Sequence, residues 1–378
     1  MSEFLSLMTK WDSFVQFGEG GQHYVFAGLS DLAILILSLS VCVVIVYLLY
    51  IRSVKLFREK IKKLVQYKIN GFFSELIFSD GQMESDYDEK INEFKKKVPL
   101  HKDWCKDLLI QNIIDLDKNL KGQSKELLLS VFFKLDLLGY TEKLVNSSTW
   151  YYKTKGISYW KELNYSNAAE KIYPLIFHDN HYIRSSALIA YISLSEVNPL
   201  NVLEEYGDSI TYIESLNLME VIQRRKIKKP KNLVNWLKFE EESKLIFALK
   251  LVAYYNDLDA AGAVVQTLES PNSKVRHEAI RCIGKLYYFD AEQDLISMFF
   301  NEPEENQVEI IRALKEIGSQ DSVDFLHYIL GLNKGSEIKI NAMYALKSLD
   351  AGFIKNEIQN NKELELVRKH VKNPYLEV

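Results

Sequence analysis

Apolar and polar positions alternate with a helical period along most of this chain, and one segment departs from that pattern by having no polar face. Residues 32–51, LAILILSLSVCVVIVYLLYI, are twenty consecutive residues without a charge. A helix of that length covers about 30 Å, the thickness of the hydrocarbon layer of a bilayer. Asp31 closes one end and Arg52 the other. The pattern predicts a transmembrane helix over residues 29–52. A buried core helix is the competing reading, but such helices rarely run this far without a strong polar residue. A cleaved signal peptide fits less well: the first thirty-one residues hold one base, Lys10, and the run ends in Tyr47-Leu-Leu-Tyr50-Ile51 in place of small residues.

The flanks set the orientation. Arg52, Lys55, Arg58, Lys60, Lys62, Lys63 and Lys68 follow the span against a single Glu59. The positive-inside rule places that side in the cytoplasm and residues 1–28 outside. These bases also suit anionic lipid headgroups. Tyr24 and Phe26 before the span, with Tyr47 and Tyr50 at its end, fit interfacial anchors. Asp31, Ser38 and Cys42 fall on one helix face, a stripe on which a second transmembrane helix could pack; alternatively Asp31 caps the helix and Ser38 faces lipid. Residues 53–98 read as a basic juxtamembrane helix followed by an acidic linker, SDGQMESDYDE, over 79–89.

From residue 99 to 378 the periodicity is helical throughout, and it repeats. Val275-Arg276-His-Glu-Ala279-Ile280-Arg-Cys-Ile283-Gly284-Lys-Leu286 recurs in outline from Ile338 to Leu349 and from Ile183 to Leu194, with a degenerate copy over Glu309 to Gly318. Ala279 to Ala313 is 34 residues and Ala313 to Ala342 is 29. Each copy follows a short polar turn and an earlier apolar helix, and such pairs bury both faces only by stacking on neighbours. Lys125–Leu138 and Ser243–Tyr255 read as diverged members. Trp150 to Leu163 reads as a helix with Trp150, Tyr151, Ile157 and Trp160 turned inward. The segment after Glu363 is expected to cap the array.

This outline resembles the HEAT-repeat family of armadillo-like α-solenoids, best over residues 165–200 and 260–350. The resemblance implies an all-α fold: one N-terminal transmembrane helix followed by a HEAT-like solenoid. The stretch from Trp150 to Leu194 is similar to bacterial membrane HEAT proteins. That likeness implies an inner-membrane location and association with membrane glycosyltransferases that make surface polysaccharide.

Composition adds exclusions. A net charge of −4 is unlike the basic balance of general nucleic-acid binders. Cys42, Cys105 and Cys282 lie far apart and fit a reducing compartment. Seven prolines and sixteen glycines leave little room for hairpins, and the Lys-, Ile- and Asn-rich usage suits a low-GC bacterium. Neither a phosphate-binding glycine loop nor a nucleophile elbow occurs, so no catalytic residue, cofactor or metal is expected. His178, Asp179 and His181 could ligate a metal, but turn formation and capping by Asp179 and Asn180 account for them more simply. The basic run Arg224, Arg225, Lys226, Lys228, Lys229 and Lys231 is a candidate patch for an anionic partner, or else a solvated loop. Lys95, Lys96 and Lys97 carry the same ambiguity.

The expected function is a membrane-tethered scaffold or adaptor without enzyme activity. It would present a cytoplasmic docking surface to a protein partner, an integral membrane protein above all, and hold lipid through its helix and basic flank. A nucleic-acid or anionic-lipid binder acting through Arg224 to Lys231, and an enzyme on the same scaffold, are the alternatives; a small-molecule substrate is not expected.

Overall fold

The computed structural model describes residues 22–78, 84–119, 123–349 and 362–371, and among them every element is helical. The expectations for the extreme N-terminus and for 79–83 lie outside the described residues. The chain divides into two compact units, residues 1–140 and 141–378.

In the first unit, α1 (Gln22–Phe78) is a single helix of 57 residues, so the apolar span and its basic flank form one rod. Residues 33–53 of it are exposed, whereas Val65, Ile69, Phe72, Phe73 and Leu76 near its end are buried. α1 packs on α2 (Glu84–Lys97) and α3 (Asp103–Asn119). Phe72 stacks on Phe94 with centroids 4.1 Å apart. Gln66 Nε2 donates to Asn112 Oδ1 at 2.7 Å, and Lys68 Nζ to the Lys97 carbonyl at 3.1 Å. The acidic linker is shorter than its composition suggests, because residues 84–89 already belong to α2. Asp88 and Glu89 are exposed on a helix whose Ile91 and Phe94 are buried. The helix expected over Lys125–Leu138 is two helices, α4 (Gln123–Lys134) and α5 (Leu137–Val145), broken where Asp136 adopts a left-handed φ of 53°.

The second unit is organised by a regular period. α6 (Trp150–Glu162) precedes α7 (His181–Leu194), α8 (Tyr212–Arg225), α9 (Glu242–Tyr255), α10 (Ser273–Leu286), α11 (Glu304–Ile317) and, beyond α12 (Gln320–Gly331), α13 (Ser336–Leu349); α14 is Lys362–Val371. The first residues of α7 to α11 and α13 fall 31, 30, 31, 31 and 32 apart, and each of these six helices has 14 residues. α6 starts 31 residues before α7. N-caps fix four of the starts: the side chains of Asn180, Thr211, Glu241 and Asn272 each accept from backbone N–H groups of the first turn.

α6 packs on α7 and α7 on α8; α9 packs on α10, α10 on α11 and α11 on α13; α8 and α9 are joined by the bond from Lys250 Nζ to Ser215 Oγ. The seventh residue of each of the six, Ala187, Leu218, Ala248, Ala279, Ile310 and Ala342, is at most 1% exposed. These positions join one continuous core running from Val145 to Val371. Bonds between neighbours link like ends. Asn306 Nδ2 donates to the Ser273 carbonyl at 3.0 Å near two N-termini. Near the C-termini, Arg225 Nη1 donates to the Ile192 and Ser195 carbonyls, both at 3.0 Å. Tyr255 does likewise to the Ile227 carbonyl at 2.8 Å. Successive long helices therefore run parallel.

This register corrects the degenerate copy. Ile310, not Ala313, occupies the place of Ala279; Ala313 sits three residues further on, at a position that is also buried. A three-residue slip keeps a residue on the same helix face, so the core pattern alone could not distinguish the two. The elements between long helices are also shorter than expected. Before α10, for example, stands Ala261–Gln266, flanked by single 3₁₀ turns.

Candidate docking surface

The turns before α7, α10 and α11 are each held by a side chain at that helix's fourth residue. In α10, Arg276 Nη1 donates backward to the Ser270 and Pro271 carbonyls at 2.8 and 3.1 Å. Its Nε and Nη2 reach forward to the two oxygens of Glu302, at 2.7 and 3.1 Å. Arg184 of α7 repeats the arrangement, with the His178 and Asp179 carbonyls behind it at 2.8 and 2.7 Å and Asp208 ahead at 2.5 Å from Nη2. Gln307 holds the same place in α11 and donates to the Glu302 carbonyl at 2.9 Å. The Arg184 bond, joined by His181 Nδ1 at 3.0 Å, holds the Asp208 carboxyl down at about 2. His178 and His181 are thus parts of turns, with Asn180 as the cap, and no metal-ligating group occurs among the described residues.

With the turns fixed this way, the first two residues of each long helix stand outside the core. Trp150 at the start of α6 and Tyr182 in α7 are exposed and stacked, with centroids 4.9 Å apart. Tyr151 and Tyr152 on α6 and Tyr212, Ile213 and Leu216 on α8 are exposed as well, and Lys250 Nζ lies 5.6 Å from the Tyr212 ring centre. Sequence reasoning turned Trp150 and Tyr151 inward; the structure turns them out, while Ile157 and Trp160 are buried as expected. The signal that could have found them is the period. Apolar residues at the first two places of a repeat helix precede its first core position.

The basic run does not act as one patch. Arg225 is spent on the carbonyls at the end of α7, and burial lowers its pKa. Lys229 Nζ donates to Asp257 Oδ1, a nearly buried carboxylate, at 2.7 Å. Arg224 pairs with Glu220 one turn back at 3.3 Å. Lys226, Lys228 and Lys231 remain exposed. In the first unit Arg52, Lys55, Arg58, Lys60, Lys62 and Lys63 are all exposed around α1. Of the proposed helix-packing face, Cys42 is exposed and the Ser38 hydroxyl donates to the Leu35 carbonyl at 2.9 Å; Asp31 lies in the same helix. Among the described residues one helix, within Ala33–Ile77, is long and apolar enough to cross a membrane, and none of its apolar window is buried.

No protein-family model matches the chain, and no curated protein does. Among solved structures it is similar to an engineered protein, at 17% identity and a TM-score of 0.32 over 56% of this chain and 96% of that one. It is also similar to human deoxyhypusine hydroxylase in complex with glycerol, at 12% identity and a TM-score of 0.31 over 77% and 98%. Scores this low carry no argument about fold or function.

Proposed function

We propose that this chain is a membrane-tethered helical-repeat adaptor. In this reading α1 spans the inner membrane of a bacterium with its N-terminus outside, and the second unit is a HEAT-like solenoid in the cytoplasm that docks a protein partner. The observation that carries it is the exposed Trp150–Tyr182 stack with Tyr212 and Ile213 on three successive helices. Large rigid aromatics presented in a group are the chemistry of a protein-binding hot spot. Tethering supports an integral membrane partner, since a shared bilayer raises the effective concentration. The nucleic-acid alternative has less support, because Arg225 and Lys229 are engaged within the fold.

The test is a mild-detergent capture with the full-length chain, the same chain carrying Trp150→Ala and Tyr182→Ala, and a chain lacking residues 1–51. One integral membrane protein recovered in equal amount by wild type, and reduced at least tenfold by the aromatic pair, supports the reading. Equal recovery with and without the two aromatics would remove it. A polysaccharide-producing glycosyltransferase as that protein would extend the family likeness to function.

A further inference from the structure

The period that places aromatics on the N-terminal edge of the long helices also builds a row on the opposite edge. The seventeenth residue counted from the start of α7, α8, α9 and α10 is Val197, Lys228, Leu258 and Phe289. All four protrude: Val197 is 76% exposed, Leu258 55% and Phe289 62%, and Lys228 is exposed between the first two. Neighbouring helices about 10 Å apart make this a row of about 30 Å. Two places earlier stand Lys226, Asn256 and Tyr287, each in the left-handed conformation, with φ of 50, 49 and 52°. For a tyrosine this is an uncommon backbone, and it leaves the ring exposed beside Phe289.

Positive charge on the edge is concentrated at one turn. Lys226, Lys228 and Lys231 are exposed, and none forms an ion pair among the described residues. Lys229 neutralises Asp257 in the same layer. The exposed acids of these turns are Glu196, Asp259 and Asp290, so the bases gather at the turn after α8, the second of the four, while one acid stands beside each of Val197, Leu258 and Phe289. Isolated apolar side chains standing out of a line, beside unpaired lysines, suit a flat anionic apolar-cored surface better than a shaped protein pocket.

We infer that this C-terminal edge lies on the anionic face of a lipid bilayer, with Leu258, Tyr287 and Phe289 entering the headgroup layer and Lys226, Lys228 and Lys231 meeting lipid phosphates. The inference rests on the tether reading, because α1 is what brings a bilayer within reach. Each lysine near an anionic surface strengthens such docking about fivefold. The edge contact thereby holds the opposite, aromatic edge away from lipid and free for a partner.

The experiment uses the full-length chain with Cys42→Ser, labelled with an environment-sensitive dye at Leu258→Cys or, on the N-terminal edge, at Lys274→Cys. Each is reconstituted in phosphatidylcholine vesicles with or without phosphatidylglycerol, and quenching by spin-labelled lipid is read. The expected result is quenching at 258 and not at 274, in the anionic vesicles only. Combined K226E, K228E and K231E should weaken that docking by at least about a hundredfold. Equal quenching at the two sites, or quenching at 258 indifferent to lipid charge and to the three reversals, would overturn the inference. So would shielding of the 258 dye by a single-stranded oligonucleotide and not by lipid, which would assign the edge to nucleic acid. Vesicle flotation separates the two readings: a chain that floats without quenching at 258 loses the edge contact alone, and a chain that does not float loses both.

Discussion

Arg276 grips Glu302 through two parallel hydrogen bonds across 26 residues of chain, tying the fourth residue of one repeat helix to the turn that launches the next. The guanidinium is 17% exposed and the carboxylate 5%, so the pair works where solvent screens little. Asp208 and Arg184 repeat the relationship closer to the start of the array.

Arg276→Ala should therefore be costly. It strands a nearly buried carboxylate and frees two turn carbonyls, a loss of about 3 kcal/mol and a melting point lower by about 10 °C. Arg224→Ala, which breaks a pair open to solvent on both sides, should cost less than about 0.5 kcal/mol. Equal melting points for the two variants would refute the turn-staple account.

Stability should carry an acid-sensitive contribution from Asp208. Its folded pKa of about 2 lies below the ordinary 3.8, so the contribution is complete above the ordinary value and fades as pH falls toward the folded one. The gap in denaturation midpoint between wild type and Asp208→Asn should be present near about pH 5 and close toward about pH 2. A gap that is constant with pH would mean the hydrogen bonds from Arg184 and His181 do not depend on the carboxylate's charge.

Gly156→Ala would give α6 the residue that four of the six later helices carry at the same place, and should nevertheless destabilise. An added Cβ meets Val145 Cγ2 at 2.7 Å and the Val145 backbone nitrogen at 2.9 Å, and the backbone cannot step aside. The expected loss is about 1–3 kcal/mol by chemical denaturation. The gain in helix propensity, about 1 kcal/mol, offsets only part of it. Increased stability would show that α5 and α6 approach less closely than described.

All three cysteines should resist an aqueous maleimide in native, vesicle-bound protein. Burial pushes the Cys105 thiol up to about 11 and, as the leading cause, the Cys282 thiol up to about 12. Cys42 would be covered by lipid if α1 spans the bilayer. Denaturation in detergent should expose all three, read as three added labels by mass. Labelling of Cys42 before denaturation would remove that helix from the membrane.

Much of this architecture is legible in residue order because burial writes it there. Ala187, Ala279 and Ala342, with Ile183, Val275 and Ile338 four residues before them, disclose three repeats at once. What is not legible follows from helix geometry. Ala313 and Ile310 share a face, so the pattern admits either register, and only the position of the helix start decides. α8 hides its membership because Leu218 replaces the small residue. The run from Arg224 to Lys231 looks uniform as a string. Yet its members point to an Ile192 carbonyl, an Asp257 carboxylate and open water in turn, and no count of charges contains those directions. The exposed edges emerge only once the period is known.

α1 contains no proline over its 57 residues, and such a helix extends about 85 Å. Its far end is locked by the Phe72–Phe94 stack and the Gln66–Asn112 bond. A rod of this kind behaves as a driveshaft. Turning its apolar half by a fraction of a revolution turns Phe72 by a similar angle, because no swivel separates them. A neighbour that does no more than rotate this helix about its own axis thereby has a mechanical handle on the packing of the first unit.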